Sequence, residues 1–229
     1  ERKKQKHLIH FYQHLVMNNW KEEILSDHIG LRHGYQFREN DFTETGIQVI
    51  KIGNVTDDGL NLHTDVSFVS ATRVTEFENI IIKDGDILMS LTGNIGRVVE
   101  VGGLNGKILF QNYRVGVFYP LSDTIYKPFI KWIMGSESIL RQLNSYANQT
   151  AQANFGKQDL DKLKFNLPSF DEQIKISNLL NTMEKVIKLN QKTVLKLQLI
   201  KNGLMNDLLN GIKDINCVTK TLTKEISNG

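Results

Sequence analysis

LPSFDEQIKISNLLNTMEKVIKLNQKTVLKLQLIKNGLMNDLLNG, residues 167–211, decides the fold of this chain. Ile176, Leu180, Met183, Ile187, Asn190, Val194, Leu197, Lys201, Leu204 and Leu208 follow one another at alternating steps of four and three. That spacing puts them on one stripe of a helix that packs against another helix as a coiled coil. Only Asn190 and Lys201 are polar on the stripe. Ser169 is a good N-cap, Glu172 three residues later can close a capping box, Pro168 blocks helix before them, and Gly211 suits the C′ position. About 41 residues lie between these marks, a rod of about 60 Å at the rise of an α-helix. So long a helix favours a seam shared with a second chain or a second repeat over a terminal helix folded back on its own domain.

Working outward, 229 residues suffice for one large domain and such a helix, and 40% hydrophobic with 23% charged residues describes a folded chain. No uninterrupted apolar run approaches the length of a membrane span, so no membrane partner is expected. The basic N-terminus lacks the apolar core of a signal peptide and an initiator Met, and reads as a trimmed beginning. Cys217, the only cysteine, excludes an internal disulfide and a thiolate cluster; an intracellular, cytoplasmic protein is expected. The net charge of +3 is unevenly spread. Residues 1–21 hold five Lys or Arg against Glu1, whereas 22–170 hold 14 basic and 18 acidic residues. A nucleic-acid partner therefore requires basic side chains gathered on one face, since net charge does not supply the attraction.

Residues 1–17 read as the end of an amphipathic helix, with Leu8, Phe11 or Tyr12, and Leu15 on one side. The stretch 18–168 reads as a globular domain. Within it, LRHGYQFREN (31–40) reads as a glycine loop, and short strands are predicted in 47–52, 66–70, 83–93, 94–101 and 107–120. Two short helices broken near Gly135 follow, then a polar segment at 144–160 and a short strand leading to the long helix at 169–211. Residues 212–229 read as a flexible tail. The fold class is α/β in the α+β sense, a mixed-β domain followed by a long coiled-coil-forming helix.

Signals for catalysis are thin. No Gly-rich loop precedes a Lys-Ser/Thr pair, and Pro120, Pro128 and Pro168 never adjoin one another. An adenine methyltransferase needs a cofactor glycine motif and a Pro-Pro catalytic segment, so this chain is read as non-catalytic and without its own cofactor or metal. The spacing of His7, His10 and His14 lacks the carboxylate or thiolate companions of a metal site. Asp84 and Asp86, with Lys83, form the only tight candidate for nuclease chemistry, but glycine-turn duty explains them better. Recognition candidates are better placed. Long planar side chains sit beside aromatics and glycines: Arg32, Gln36 and Arg38; Asn94 and Arg97; Gln111, Asn112 and Arg114; and Asn148, Gln149, Gln152 and Asn154. Arginine forks match guanine O6/N7 and amides match adenine N6/N7, so these residues are candidates for double-stranded DNA binding if their loops converge. The rival reading is a coiled-coil structural scaffold whose β domain binds protein. A positive patch among Arg32, Arg38, Arg97 and Arg114 favours DNA, and an exposed apolar patch there favours protein.

NQTAQANFGKQDLDKLKFNLPSFDEQIKISNLLNTMEKVI (148–187) resembles the specificity subunits of type I restriction-modification systems, with their small-residue/Thr/Gln segment followed by a Leu-Pro…Glu-Gln helix entry. Supporting pieces are Trp20, GIQVIKIGNV (46–55), IKDGDILMSLTGNIGRV (82–98), FQNYRVGVFYP (110–120) and LIKNGLMNDLLNG (199–211). The resemblance implies a target recognition domain reading one half of a split DNA target, with conserved helices fixing the distance between halves. It implies modification subunits that bring S-adenosylmethionine and methylate adenine, and a restriction subunit that uses ATP and Mg. One recognition domain rather than two implies pairing with a second specificity half or with a copy of itself. The lysines of the long helix, Lys175, Lys185, Lys188, Lys192 and Lys196, then face partners or keep the rod soluble.

Overall fold

The computed structural model describes residues 20–93, 95–147, 155–211 and 215. Short apolar runs punctuated by glycine and aspartate make thirteen short strands among them. In order these are β1 (Lys21–Ile24), β2 (Ile29–His33), β3 (Phe42–Thr43), β4 (Ile47–Ile50), β5 (Val55–Thr56), β6 (Gly59–Leu60), β7 (Phe68–Val69), β8 (Ile81–Ile82), β9 (Ile87–Ser90), β10 (Val98–Glu100), β11 (Leu109–Gln111), β12 (Val115–Pro120) and β13 (Lys164–Leu167). The helices are α1 (Lys127–Met134), α2 (Glu137–Ala147) and α3 (Phe170–Leu209). The chain forms two compact units, the first ending at Ser177 and the second starting at Asn178.

The first unit is built on two sheets. One has the order β10-β9-β12-β2, all antiparallel; the other has the order β3-β7-β4-β11-β8, with β4 and β11 parallel. Alternation along the strands sorts their side chains into three buried layers. Leu31, Ile87, Met89 and Phe118 pack against Phe129, Ile130 and Ile133 of α1 and Ile139 and Leu143 of α2. Leu88, Val99, Val115 and Val117 on the opposite face meet Ile50, Ile82 and Leu109 of the second sheet. Val49, Val69 and Phe110 form the third layer with Phe37, Phe77 and Ile80. β9 lies between two layers, so all four of its residues are buried. β1 pairs with β13 from Lys21↔Leu167 to Ile24↔Lys164, joining the start and end of the unit.

The stretch read as a loop at 31–40 begins within strand β2, with Arg32 paired to Val117. Gly34 and the preceding Gly30 mark close approaches rather than a turn. A Cβ on Gly30 would lie 2.5 Å from the Tyr119 ring, and one on Gly34 would lie 2.1 Å from the Gln111 carbonyl oxygen. The turn assigned to Lys83–Asp86 is present. The Asp86 carboxylate accepts from the Lys83 N–H, Asp84 accepts from the Leu104 N–H, and Gly85 takes the positive φ of 79° that favours glycine.

α3 starts where its caps predict. The Glu172 carboxylate accepts from the Ser169 N–H at 2.9 Å and from the Ser169 hydroxyl at 2.7 Å, while the Ser169 hydroxyl accepts from the Glu172 N–H. The Ser169 hydroxyl holds the Glu172 carboxyl below the ordinary carboxylate range, with the Ser169 backbone as the second cause. The next residue is fully buried. The Gln173 amide donates to the Thr124 and Pro168 carbonyls at 2.9 and 3.0 Å, and its oxygen accepts from the Tyr126 N–H at 2.9 Å. The Glu-Gln pair at this helix entry thus combines a cap with a polar staple to the start of α1. From Asn178 onward α3 has no buried residue. On the stripe, Met183, Ile187, Val194 and Leu197 are each more than half exposed, Asn190 is exposed, and Ile176, Leu180, Leu204 and Leu208 are partly covered. No described helix is long and apolar enough to cross a membrane.

Candidate nucleic-acid interface

The registers place several loops at one end of the paired sheets. Ser90 lies opposite Val115, His33 opposite Gly116, and Met89 opposite Val98. The segments leaving β2, joining β9 to β10 and entering β12 therefore share an end. In the second sheet, Ile50 lies beside Gln111 in parallel register, which brings the segments following β4 and β11 to that end as well. Backbone bonds tie these segments together. Tyr35 N–H donates to the Gln111 carbonyl, Tyr113 N–H to the Tyr35 carbonyl, Asn112 N–H to the Ile50 carbonyl, Leu91 N–H to the Arg114 carbonyl and Ser90 N–H to the Arg97 carbonyl.

Within this convergence the candidate residues separate into two groups. Gln111 is fully buried, its amide donating to the Arg32 and Val115 carbonyls at 2.9 and 2.7 Å. The Gln111 side-chain oxygen accepts from Arg32 Nε at 3.0 Å. Arg32 Nη2 donates to the Ile81 carbonyl at 3.1 Å and lies 3.6 Å from Asp86. Burial pushes the Arg32 pKa down and Asp86 opposes that shift. Asp86 also pairs with Lys127 at 3.2 Å. Arg32 and Gln111 are thus spent on joining the two sheets, a use that neither the polar character nor the position of either residue in the sequence announces. Asn112 is also buried, its side-chain oxygen accepting from the Arg114 N–H at 3.1 Å.

Gln36, Arg38, Arg97 and Arg114 make the second group, facing solvent wholly or in part. Arg114 Nε donates to the Tyr113 hydroxyl at 2.7 Å and its guanidinium lies over the Tyr113 ring. Arg97 faces Asp57 at 3.7 Å, and Asp57 is 83% exposed, so solvent screens the pair and leaves Arg97 available to an anion. Arg38 opens a turn whose Asp41 accepts from the Arg38 N–H and pairs with Arg73 at 2.7 Å. Lys51, not singled out in the sequence because it reads as part of a strand, lies just beyond β4; it donates to Asp65 and Ser67 at 3.1 and 2.6 Å. Asn94, Asn148, Gln149, Gln152 and Asn154 lie outside the described residues, as do residues 1–19. The 155 end of the polar segment is placed: Phe155 N–H donates to the Leu91 carbonyl at 3.0 Å, next to the Arg97 turn.

A profile of the type I restriction modification DNA specificity domain matches residues 17–199. The chain is 27% identical over 209 residues to the type I restriction enzyme MjaVIII specificity subunit of Methanocaldococcus jannaschii, covering 88% of this chain and 48% of the relative. It thus spans about half the length of that curated relative. Its fold is similar to a chain from a structure concerned with complex assembly and conformational transition of the type I R-M system, with a TM-score of 0.58 at 14% identity, covering 84% of this chain and 46% of the other. It is also similar to the HsdS subunit from Thermoanaerobacter tengcongensis, with a TM-score of 0.52 at 16% identity, covering 76% of this chain and 39% of that one. With the mixed sheets, the Glu-Gln helix entry and a profile match running from residue 17 into the long helix, this chain belongs to the type I restriction modification DNA specificity domain family.

Proposed function

We propose that this chain is the non-catalytic, DNA-reading component of a type I restriction-modification complex, and that its β domain reads one half of a bipartite double-stranded target. The observation that carries this reading is the meeting of the Gln36, Arg97 and Arg114 segments at one end of the two sheets. Amides and guanidinium groups mounted on rigid strand ends suit base-edge readout, and the remaining cations suit phosphate contact. Modification subunits supply S-adenosylmethionine and methylate adenine in this scheme; a restriction subunit supplies ATP-driven cleavage with Mg.

The adenine methylome of the host with the gene intact, deleted and restored tests the proposal. A methylated bipartite motif should vanish on deletion and return on complementation; a methylome indifferent to the gene sinks the reading. In the assembled complex, Gln36→Ala should cost about 1–3 kcal/mol at one target position and relax preference there. Arg97→Ala, if that guanidinium grips phosphate, should weaken binding to all duplexes alike and lower the salt slope by about one unit.

The stripe of α3 is proposed to pair with a second conserved helix, from a second specificity half or a second copy of this chain. Met183, Ile187, Val194 and Leu197 of the stripe are exposed large apolar side chains, which such pairing would cover. Leu180→Asp with Leu197→Asp should shift the assembly toward monomer in sedimentation. Unchanged sedimentation of wild type and variant as a fully helical monomer would refute the pairing.

A further inference from the structure

Among the segments that meet at this end of the sheets, one exposed residue is an aromatic whose backbone and ring are both held by neighbours. Tyr35 is 42% exposed. Its backbone is held on both sides, by the Gln111 carbonyl and the Tyr113 N–H, and it forms a parallel bridge with Asn112. Gly34 before it admits no side chain against the Gln111 carbonyl, which keeps this mount close to β11. The ring rests on Phe37 at 5.0 Å and on Phe77 at 4.9 Å. Phe77 in turn packs on Phe110 at 5.4 Å, and Phe110 is fully buried at the centre of β11. An aromatic column therefore runs from the core to the surface and ends in a half-exposed ring, one residue before Gln36. Packing on two rings restricts the rotamers of Tyr35, so little further entropy is lost when a ligand meets it. Of the other exposed aromatics in 20–177, Tyr119 and Phe170 lie elsewhere, at the far end of β12 and in the first turn of α3.

We propose that Tyr35 is a specificity-determining contact, its ring packing against a base of the bound duplex. This inference rests on the DNA-reading function above. A flat apolar ring discriminates bases through thymine methyl contact or through the ease of unstacking a step, neither of which needs a hydrogen bond. The contact adds sequence preference without adding to the salt dependence, because no phosphate charge is neutralised.

The test uses the full chain assembled with its host's modification subunit and a random-sequence duplex library. Wild type, Tyr35→Phe, Tyr35→Leu and Tyr35→Ala are each put through selection, and thermal melting checks their folding. Wild type should enrich a motif and Tyr35→Phe should enrich the same one. Tyr35→Leu, which keeps apolar bulk over Phe37 and Phe77, and Tyr35→Ala should both lose preference at one position and bind the wild-type motif about tenfold more weakly. Their affinity for unselected duplex and their salt slope should stay at the wild-type values. If wild type enriches no motif, the DNA-reading function itself fails. If wild type enriches a motif and both Leu and Ala variants keep it with full affinity, Tyr35 is a packing residue only. Equal losses on selected and unselected duplex would likewise overturn a role in reading.

Discussion

Replacing Gln173 by leucine is expected to destabilise the globular unit by about 3–5 kcal/mol, read as a lower urea midpoint with an unchanged slope. The side chain is fully buried and satisfies three backbone groups, the Tyr126 N–H and the Thr124 and Pro168 carbonyls. Leucine fills a similar volume and leaves all three groups without a partner, each at a cost of about 1–3 kcal/mol unless water enters. Gln173→Glu gives a sharper signature. Glutamate keeps the acceptor for Tyr126, but its ionised form turns a second oxygen toward two carbonyls, so its folded pKa must rise above the unfolded value. Relative to wild type, the variant is then least destabilised below the ordinary glutamate range, and its deficit grows as pH rises through the folded pKa. A Gln173→Leu protein with a wild-type midpoint would show that the staple contributes nothing.

The second large effect separates frame from reader. Gln111→Leu removes both donors and the acceptor that join Arg32 and Val115 across the two sheets, and leaves the half-buried Arg32 guanidinium with one partner fewer. A loss of about 3 kcal/mol or more is expected. Gln36→Ala, at an exposed position on the same face, should leave the midpoint within about 0.5 kcal/mol of wild type. Equal midpoints for the two variants would mean that Gln111 is not part of the frame.

The long helix was legible because its determinants are local. Pro168, Ser169 and Glu172 mark its start within five residues, and a predicted helix at 169–211 is observed as Phe170–Leu209. The two short helices around Gly135 were legible for the same reason. β2 was not. Gly30 and Gly34 look like turn residues in sequence, and only their distant neighbours Tyr119 and Gln111 explain them as sites of close contact. Gln111 and Arg32 were misleading for a related reason. β11 lies between two buried layers, so Gln111 points into the interior and must find partners there, and Arg32 on the edge strand β2 is one of them. The meeting of the candidate loops depends on the antiparallel pairing of β12 with β2 and with β9, between segments far apart in the chain. No spacing rule reports such a contact.

The pairing of β1 with β13 has a consequence for how the chain is made. β1 cannot find its partner until residues 164–167 have left the ribosome. At about 5–20 residues per second, Lys21–Ile24 waits on the order of ten seconds in an unfinished chain. β2 waits almost as long for β12, and each loop closure precedes the contacts that reward it. Nascent β strands with unpaired edges are therefore present throughout synthesis, and the yield of this protein should depend on translation speed and chaperone supply more than on the stability of its finished fold.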